Sequence, residues 1–482
     1  MTITPAPTAD VLTSSRSAGA GTATPPVPEA LAVLAARTAV ALETSLTRFV
    51  AAMDQNLGHL ETQATHDVQE LLHTTTQRAA QAKADATPVR CPVCGQPLTR
   101  NSSGHARTFQ TRFGDITILR TRGYCKRCRK WRTPADTALG LEDTAGYSPA
   151  VQAMAALAAS KLPVAEASVV LEHLAGVKLP PATLDREAKR QGQRAQRLRT
   201  QLDAQAATEK RQLELVLEPY QLIIQLDAWN IRERDAWGQT ATLRRRGCEP
   251  ERWHWVWTGT VFRLDHRGKT AVGRPVIVQR GYVFTRQGLD ALRGQLHAEA
   301  LRRGLGQAAS VLVIGDGAVW IWRLADDRWP QAKQRLDFYH AVQHLAAVGR
   351  ALWGEDRVQC KAWLKPLVRQ LKNESALKVI RQLDEVLAGL PTGPIAETVA
   401  HEVAYFHEHQ HRMDYRAAQR AGDPLGSGPV EATCRQGQCR FKRPGQFWST
   451  VGDEALLCLE TFWRNERWAL LFPHTTFNPS QN

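Results

Sequence analysis

Three acids and four cysteines stand in surroundings that suit them to chemistry. Asp227 lies inside the apolar stretch QLIIQLDAWNIRER (221–234), and Asp316 sits between two glycines at the end of VLVIGDG (311–317). Glu431 follows Gly-Ser-Gly-Pro in GSGPVEATCRQGQCRFKRPGQFWS (426–449). A carboxylate in or at the end of an apolar strand is costly to desolvate unless it is paired or bound to a cation. Two such acids on neighbouring strands, joined by a third from a helix, make an oxygen-rich site for hard cations such as Mg²⁺. Each acid also has an ordinary structural reading. Asp227 is a candidate partner for a nearby arginine, Gly-Asp-Gly is common turn chemistry, and an acid at a helix start is favoured by the macrodipole.

The cysteines form two CxxC pairs, Cys91/Cys94 and Cys125/Cys128, with 30 residues between the pairs. Four thiolates at this spacing can close a tetrahedral Zn²⁺ site and staple a small β domain with little core of its own. Such a zinc is structural, because four sulfur ligands leave no position for substrate. FQTRFGDITILRTR between the pairs alternates like a hairpin, with Gly114–Asp115 as its turn. Lys126, Arg127, Arg129 and Lys130 around Trp131 make the second knuckle basic, as phosphate contact requires, or else a solvated charged face.

The whole chain is basic: 482 residues carry 62 Lys plus Arg against 47 Asp plus Glu, a formal +15. That balance favours an anionic polymer as partner, since basic surface gains affinity by releasing counterions from phosphates. No apolar run is long enough for a membrane span. The first 28 residues, rich in Thr, Ala and Pro, lack the features of a signal peptide and read as a disordered tail. A cytoplasmic, nucleoid-associated location is therefore expected, with reduced, metal-ligating cysteines.

The elements that must position these groups follow in order. Residues 29–87 read as a helical hairpin or coiled-coil arm, and 88–140 as the zinc ribbon. Residues 147–215 carry three helices, the last after Pro180 and Pro181, resembling a helix-turn-helix with Arg186, Lys189 and Arg190 as DNA contacts. From 220 to 352, strands at 221–234, 252–264, 274–286 and 310–317, a helix at 286–304 and a short strand running into a helix at 335–352 predict a mixed α/β sheet. Trp253, Trp255 and Trp257 alternate onto one face of the second strand. Helical stretches at 353–389 and 394–421 form an all-α insertion within 353–425. Its histidines at 401, 407, 409 and 411 read as solvated helix rather than metal ligands. The final segment, 426–472, brings Glu431 on a helix followed by Arg435, Arg440, Lys442, Arg443 and Trp448, a basic aromatic run suited to nucleic acid.

LDAWNIRER, VIGDGAVWIW, DFYHAVQHL and the Glu431 segment together resemble a DDE transposase of a bacterial insertion sequence, most similar to the Kra-type family, whose members also carry an amino-terminal zinc ribbon. The resemblance spans about residues 88–470. It implies an RNase H-like catalytic core in which Asp227, Asp316 and Glu431 hold two Mg²⁺ (or Mn²⁺) ions about 3.5–4 Å apart. Asp337–His340 resembles a (Cys/Asp)-x-x-His signature of related transposases, which puts His340 near the scissile phosphate or in packing. The implied activity is hydrolysis at the element's ends followed by strand transfer. The implied partners are double-stranded DNA, both terminal inverted repeats and target, and further copies of the chain in a homodimer or larger synaptic complex. Two other classes stay open at this point. One is a zinc-ribbon DNA-binding regulator with a catalytically dead core, and the other a nuclease of the same fold that cuts without joining.

Overall fold

The computed structural model describes residues 29–141, 146–208, 218–234, 236–273 and 275–473. The expected tail, 1–28, and the end of the third-helix segment, 209–215, lie outside them. The chain divides into two compact units. One runs to Thr108 and includes Phe113–Leu139, and the other comprises Phe109–Arg112 and everything from Gly140.

In the first unit, α1 (Glu29–Ala51) and α2 (Leu57–Asp85) form a helical hairpin. Ser45 Oγ donates to Asp67 across it at 2.6 Å. β1 (Thr99–Thr111), β2 (Gly114–Cys125) and β3 (Lys130–Arg132) form a three-stranded sheet in that order, followed by the short α3 (Pro134–Ala138). The hairpin reverses at Arg112–Phe113. Gly114 and Asp115, expected as the turn, therefore open β2 instead. On β2, Ile116 and Ile118 are buried in alternation with exposed neighbours, the period-2 pattern of a half-covered strand. The arm supplies the cover: His73 Nε2 lies 2.8 Å from Asp115 O, and the Gln81 amide both donates to and accepts from the Leu119 backbone. Arm and ribbon thus share one unit rather than forming two domains.

The second unit begins with α4 (Pro149–Lys161), α5 (Val164–Ala175) and the 28-residue α6 (Pro181–Thr208). Ser148 caps α4 and Gly176 ends α5 in the left-handed conformation. β4 (Gln221–Glu233), α7 (Thr240–Arg245), β5 (Arg252–Arg263), β6 (Arg267–Lys269), β7 (Pro275–Ile277) and β8 (Gly281–Thr285) come next. Then follow α8 (Leu289–Arg302), β9 (Ser310–Gly315), α9 (Val319–Arg328), β10 (Lys333–Leu336) and α10 (Phe338–Trp353). The five-stranded sheet runs β10-β9-β4-β5-β8; β4, β9 and β10 are parallel, and β5 is antiparallel to both its neighbours. The strand expected at 274–286 splits. β7 pairs with β6 in a separate ribbon, and only β8 joins the sheet.

α11 (Arg357–Asn373), α12 (Ala376–Ala388), α13 (Pro394–His409) and α14 (Tyr415–Ala421) make the insertion, before α15 (Gly428–Phe441), α16 (Gly452–Arg464) and α17 (Trp468–Leu471). Side chains alternate across β4, so its two faces build two cores. Leu222, Ile224 and Leu226 pack with Leu292 and Leu296 of α8, Ile321 of α9 and the insertion. Trp229 and Ile231 face the opposite way, against Val430, Cys434 and Phe441 of α15 and the α16 leucines. α6 packs on α4 and α16 along a buried stripe that includes Leu184, Ala188 and Ala195.

Candidate active site

β4 and β9 are parallel, with Gln225 opposite Ile314. Asp227 and Asp316 each lie two positions further on. Both carboxylates therefore leave the same end of adjacent strands on one side of the sheet, the side that α15 covers. Gln225, fully buried, fixes that helix. Its amide donates to Gly426 O at 3.2 Å and accepts from Val430 N at 3.2 Å. Glu431 then falls in the first turn of α15, where its Oε1 lies 3.0 Å from Ser427 Oγ.

Asp337, just past β10, joins these pieces. It has no exposed surface, and its N–H donates to Gly315 O at 2.8 Å. Its carboxylate caps α10 by accepting from His340 N at 2.9 Å, and it accepts from both the N–H and the hydroxyl of Ser427, the latter at 2.6 Å. Gly426 permits this closeness: a Cβ there would stand 3.1 Å from Asp337 Oδ2 and 2.9 Å from the Tyr339 ring. His340 Nδ1 is buried without a hydrogen-bond partner, 3.4 Å from Asp337 Oδ1 and 3.9 Å from Glu431 Oε1. One ligand atom from each of Asp337, His340 and Glu431 lies within 4.8 Å of the other two, a group that can hold a metal ion. Asp227 and Asp316 flank this group electrostatically rather than belonging to it.

Burial raises the Asp227 carboxyl above its ordinary value; the Cys434 thiol and the Ala228 N–H oppose the rise, and the Asp316 charge adds to it. His340 is raised, first by Asp337, against burial, and further by the charges of Asp316 and Glu431. Burial would raise Asp337, but hydrogen bonds from His340 and Ser427 outweigh it and hold the carboxyl low. The result is a cluster of four carboxylates around one imidazole biased toward its cationic form.

Residues of the insertion also reach the site. Tyr405 of α13 donates its hydroxyl to Asp316 O at 2.7 Å. The His344 ring stacks on Tyr405 at 3.6 Å, and His344 Nδ1 lies 2.5 Å from Glu402 Oε2. Gly317 has φ of +106°, and a Cβ there would come within 2.6 Å of the Tyr405 hydroxyl. Gly-Asp-Gly is thus both a turn and the mount for the acid. No local signal marks Tyr405, which lies 89 positions from its partner. Of the insertion's histidines, His407 pairs with Asp384 at 2.8 Å. His409, expected on a solvated face, is buried edge-on against Tyr405.

In the other unit the four cysteines come together. Cys94 and Cys125 Sγ are 3.5 Å apart, and Cys91 and Cys128 Sγ are 3.9 Å apart. A tetrahedron of ~2.3 Å Zn–S bonds has sulfurs about 3.8 Å apart, so the cluster could form a zinc site. Lys126, Arg127, Arg129 and Lys130 are exposed beside it, and Arg122 lies over the Trp131 ring at 5.0 Å.

The remaining DNA-contact candidates fall into three groups. Arg186 and Arg435 are exposed, Lys442 is exposed with its ammonium on Asn230 Oδ1, and Arg443 is bound to Glu166. Lys189 and Arg190 pair with Asp185 and Glu187 of their own helix. Arg440 and Trp448, expected as DNA contacts, are interior instead. The Arg440 guanidinium donates to Ala159 O at 2.6 Å, and the Trp448 indole donates to Phe441 O at 2.7 Å. Both hold the end of α15 in the core.

No protein-family model matches the chain, and no curated protein matches it.

Proposed function

We propose that this chain is a DDE-type DNA transposase with an RNase H-like core, acting on double-stranded insertion-sequence ends and target DNA. One observation carries the reading: two acids at in-register ends of adjacent parallel strands, with a third from the helix that covers them. The strand order supports it, since an antiparallel β4-β5-β8 meander is extended by parallel β9 and β10. Resemblance in the four motifs agrees with this arrangement.

The donor set fits divalent cations. Asp227, Asp316 and Glu431 would hold Mg²⁺ or Mn²⁺, and His340 Nδ1, 3.4 Å from Asp337 Oδ1 and 3.9 Å from Glu431 Oε1, faces the same space. Such cations supply Lewis acidity, making an attacking water or 3′-hydroxyl more acidic and compensating charge on the leaving oxygen. The protein's own part is placement. Gln225 and Asp337 set the start of α15 and hence Glu431, Tyr405 holds the Asp316 backbone, and Asp337 biases His340 toward its cationic form, suited to lie near a scissile phosphate. The cysteine cluster would take structural Zn²⁺, with the exposed basic residues of the second knuckle against the terminal repeats. Synapsis of two ends implies a homodimer or larger assembly.

The test is Mg²⁺-dependent cleavage and joining of DNA that carries the inverted repeats flanking the gene. Asp227→Ala, Asp316→Ala and Glu431→Ala are each expected to reduce both steps to background. Wild-type turnover in any of the three removes that residue from the site. Cleavage without joining would favour the nuclease reading.

A further inference from the structure

The antiparallel β4–β5 pair continues beyond Asp227 as a two-stranded arm. On it Ala228 faces Trp257, Asn230 faces Trp255 and Arg232 faces Trp253. These six share the side of the sheet opposite Asp227. Trp257 is closed off by Trp320 of α9, edge-on at 4.9 Å. Trp255 and Trp253 are not closed off: they are 51% and 56% exposed, whereas Trp229, Trp322, Trp329, Trp448 and Trp468 are buried. Adjacent large aromatics left in water are an interaction surface rather than a packing remnant.

The chemistry of the rim selects the occupant. The Arg232 guanidinium lies 5.5 Å from the Trp253 ring, and the Lys442 ammonium lies 5.2 Å from it. None of the six arm side chains on this face is acidic; Glu233, the acid at the strand's end, points to the other side and is buried. Trp255 and Trp257 ring centroids lie 6.2 Å apart with planes 30° from parallel, the spacing of alternate residues on one strand face, so the open indoles continue a row that Trp257 begins. Cations beside open indole faces match a phosphate backbone with accessible base faces. Paired DNA hides those faces, and unpaired DNA offers them.

We propose that Trp253 and Trp255, with Arg232 and Lys442, form a stacking platform for unpaired nucleotides of the DNA substrate. The proposal rests on the transposase reading for its substrate. It adds that a strand freed near the cut is held on the far side of the sheet from the acids.

The test uses the full chain without added divalent cation, so binding is read apart from cleavage. A short fluorescein-labelled single strand and a duplex of the same sequence are titrated by anisotropy against wild type, Trp253→Ala/Trp255→Ala and Trp253→Phe/Trp255→Phe. The alanine pair is expected to weaken single-strand binding about tenfold or more and duplex binding less than about twofold. The phenylalanine pair should restore most of the loss, and it keeps the test valid if the alanine pair misfolds. Unchanged single-strand affinity overturns the proposal, as does an equal loss for duplex. So does a wild-type dimer that the substitutions convert to monomer in light scattering, which would make the face a self-interface. Failure of the transposase reading would show separately, as absent metal-dependent cleavage with single-strand binding intact.

Discussion

Asp337 accepts hydrogen bonds from three donors in two elements distant in sequence while itself fully buried. Removing it strands those donors and the α10 cap together. Asp337→Ala should therefore cost about 2–3 kcal/mol in urea unfolding and abolish cleavage. Tyr405→Phe is milder, deleting one bond to Asp316 O. We expect about 1 kcal/mol of stability lost, with kcat falling while KM holds, the signature of a positioning residue. The sequence showed Asp227 and Asp316 plainly, because an acid against Leu, Ile and Val stands out locally. It showed Asp337 only as half of an Asp-x-x-His motif, and Gln225, Ser427 and Tyr405 not at all. Their partners lie 201, 90 and 89 positions away, and no local pattern encodes such contacts. Arg440 and Trp448 misled for a related reason: a basic aromatic run reads alike whether it meets phosphate or fills a core.

β4 carries chemistry along its whole length, with Gln225 and Asp227 toward the acidic site and Glu233 at its end beside α16. There Arg286 bridges Glu233 at 2.5 Å and Asp453 at 3.1 Å. Burial, and then Glu233, push the Asp453 carboxyl up to about 9 against the pull of Arg286. A raised acid binds its proton more tightly folded than unfolded, so its contribution to stability falls as pH rises from its ordinary 3.8 toward 9. Asp453→Asn should remove that slope, at most about 1.4 kcal/mol per pH unit. Denaturant midpoints at pH 5 and pH 8 check it, with the variant gaining on wild type at the higher value. Helix and strand placement was largely legible from period and breakers. The split at 278–280 was not; there Arg280 donates to Pro429 O on α15, a tertiary contact that no local pattern encodes.

At the scale of the whole chain, an acidic cluster sits within a molecule of net charge +15. Distant basic surface can gather a polyanion while local carboxylates gather cations. The ribbon's dependence on its cysteines is a separate matter. The purified chain is expected to hold one equivalent of zinc, measured by metal analysis, and Cys125→Ser or chelation should release it with loss of β-ribbon ellipticity. The division into units differs from the expected domains because arm and ribbon bury one another's faces, which composition does not reveal.

Asp337 and Ser427 also close a circuit: the chain leaves the sheet at one and returns to it at the other, 90 positions later. The entropy of closing such a loop grows only as the logarithm of its length. Residues can therefore be added to this excursion at little entropic cost while the gate residues hold Glu431 in register, provided that the insertion's core side chains stay packed on the sheet. Length polymorphism among descendants of this sequence should accumulate there, distal to Tyr405, and spare both gateposts.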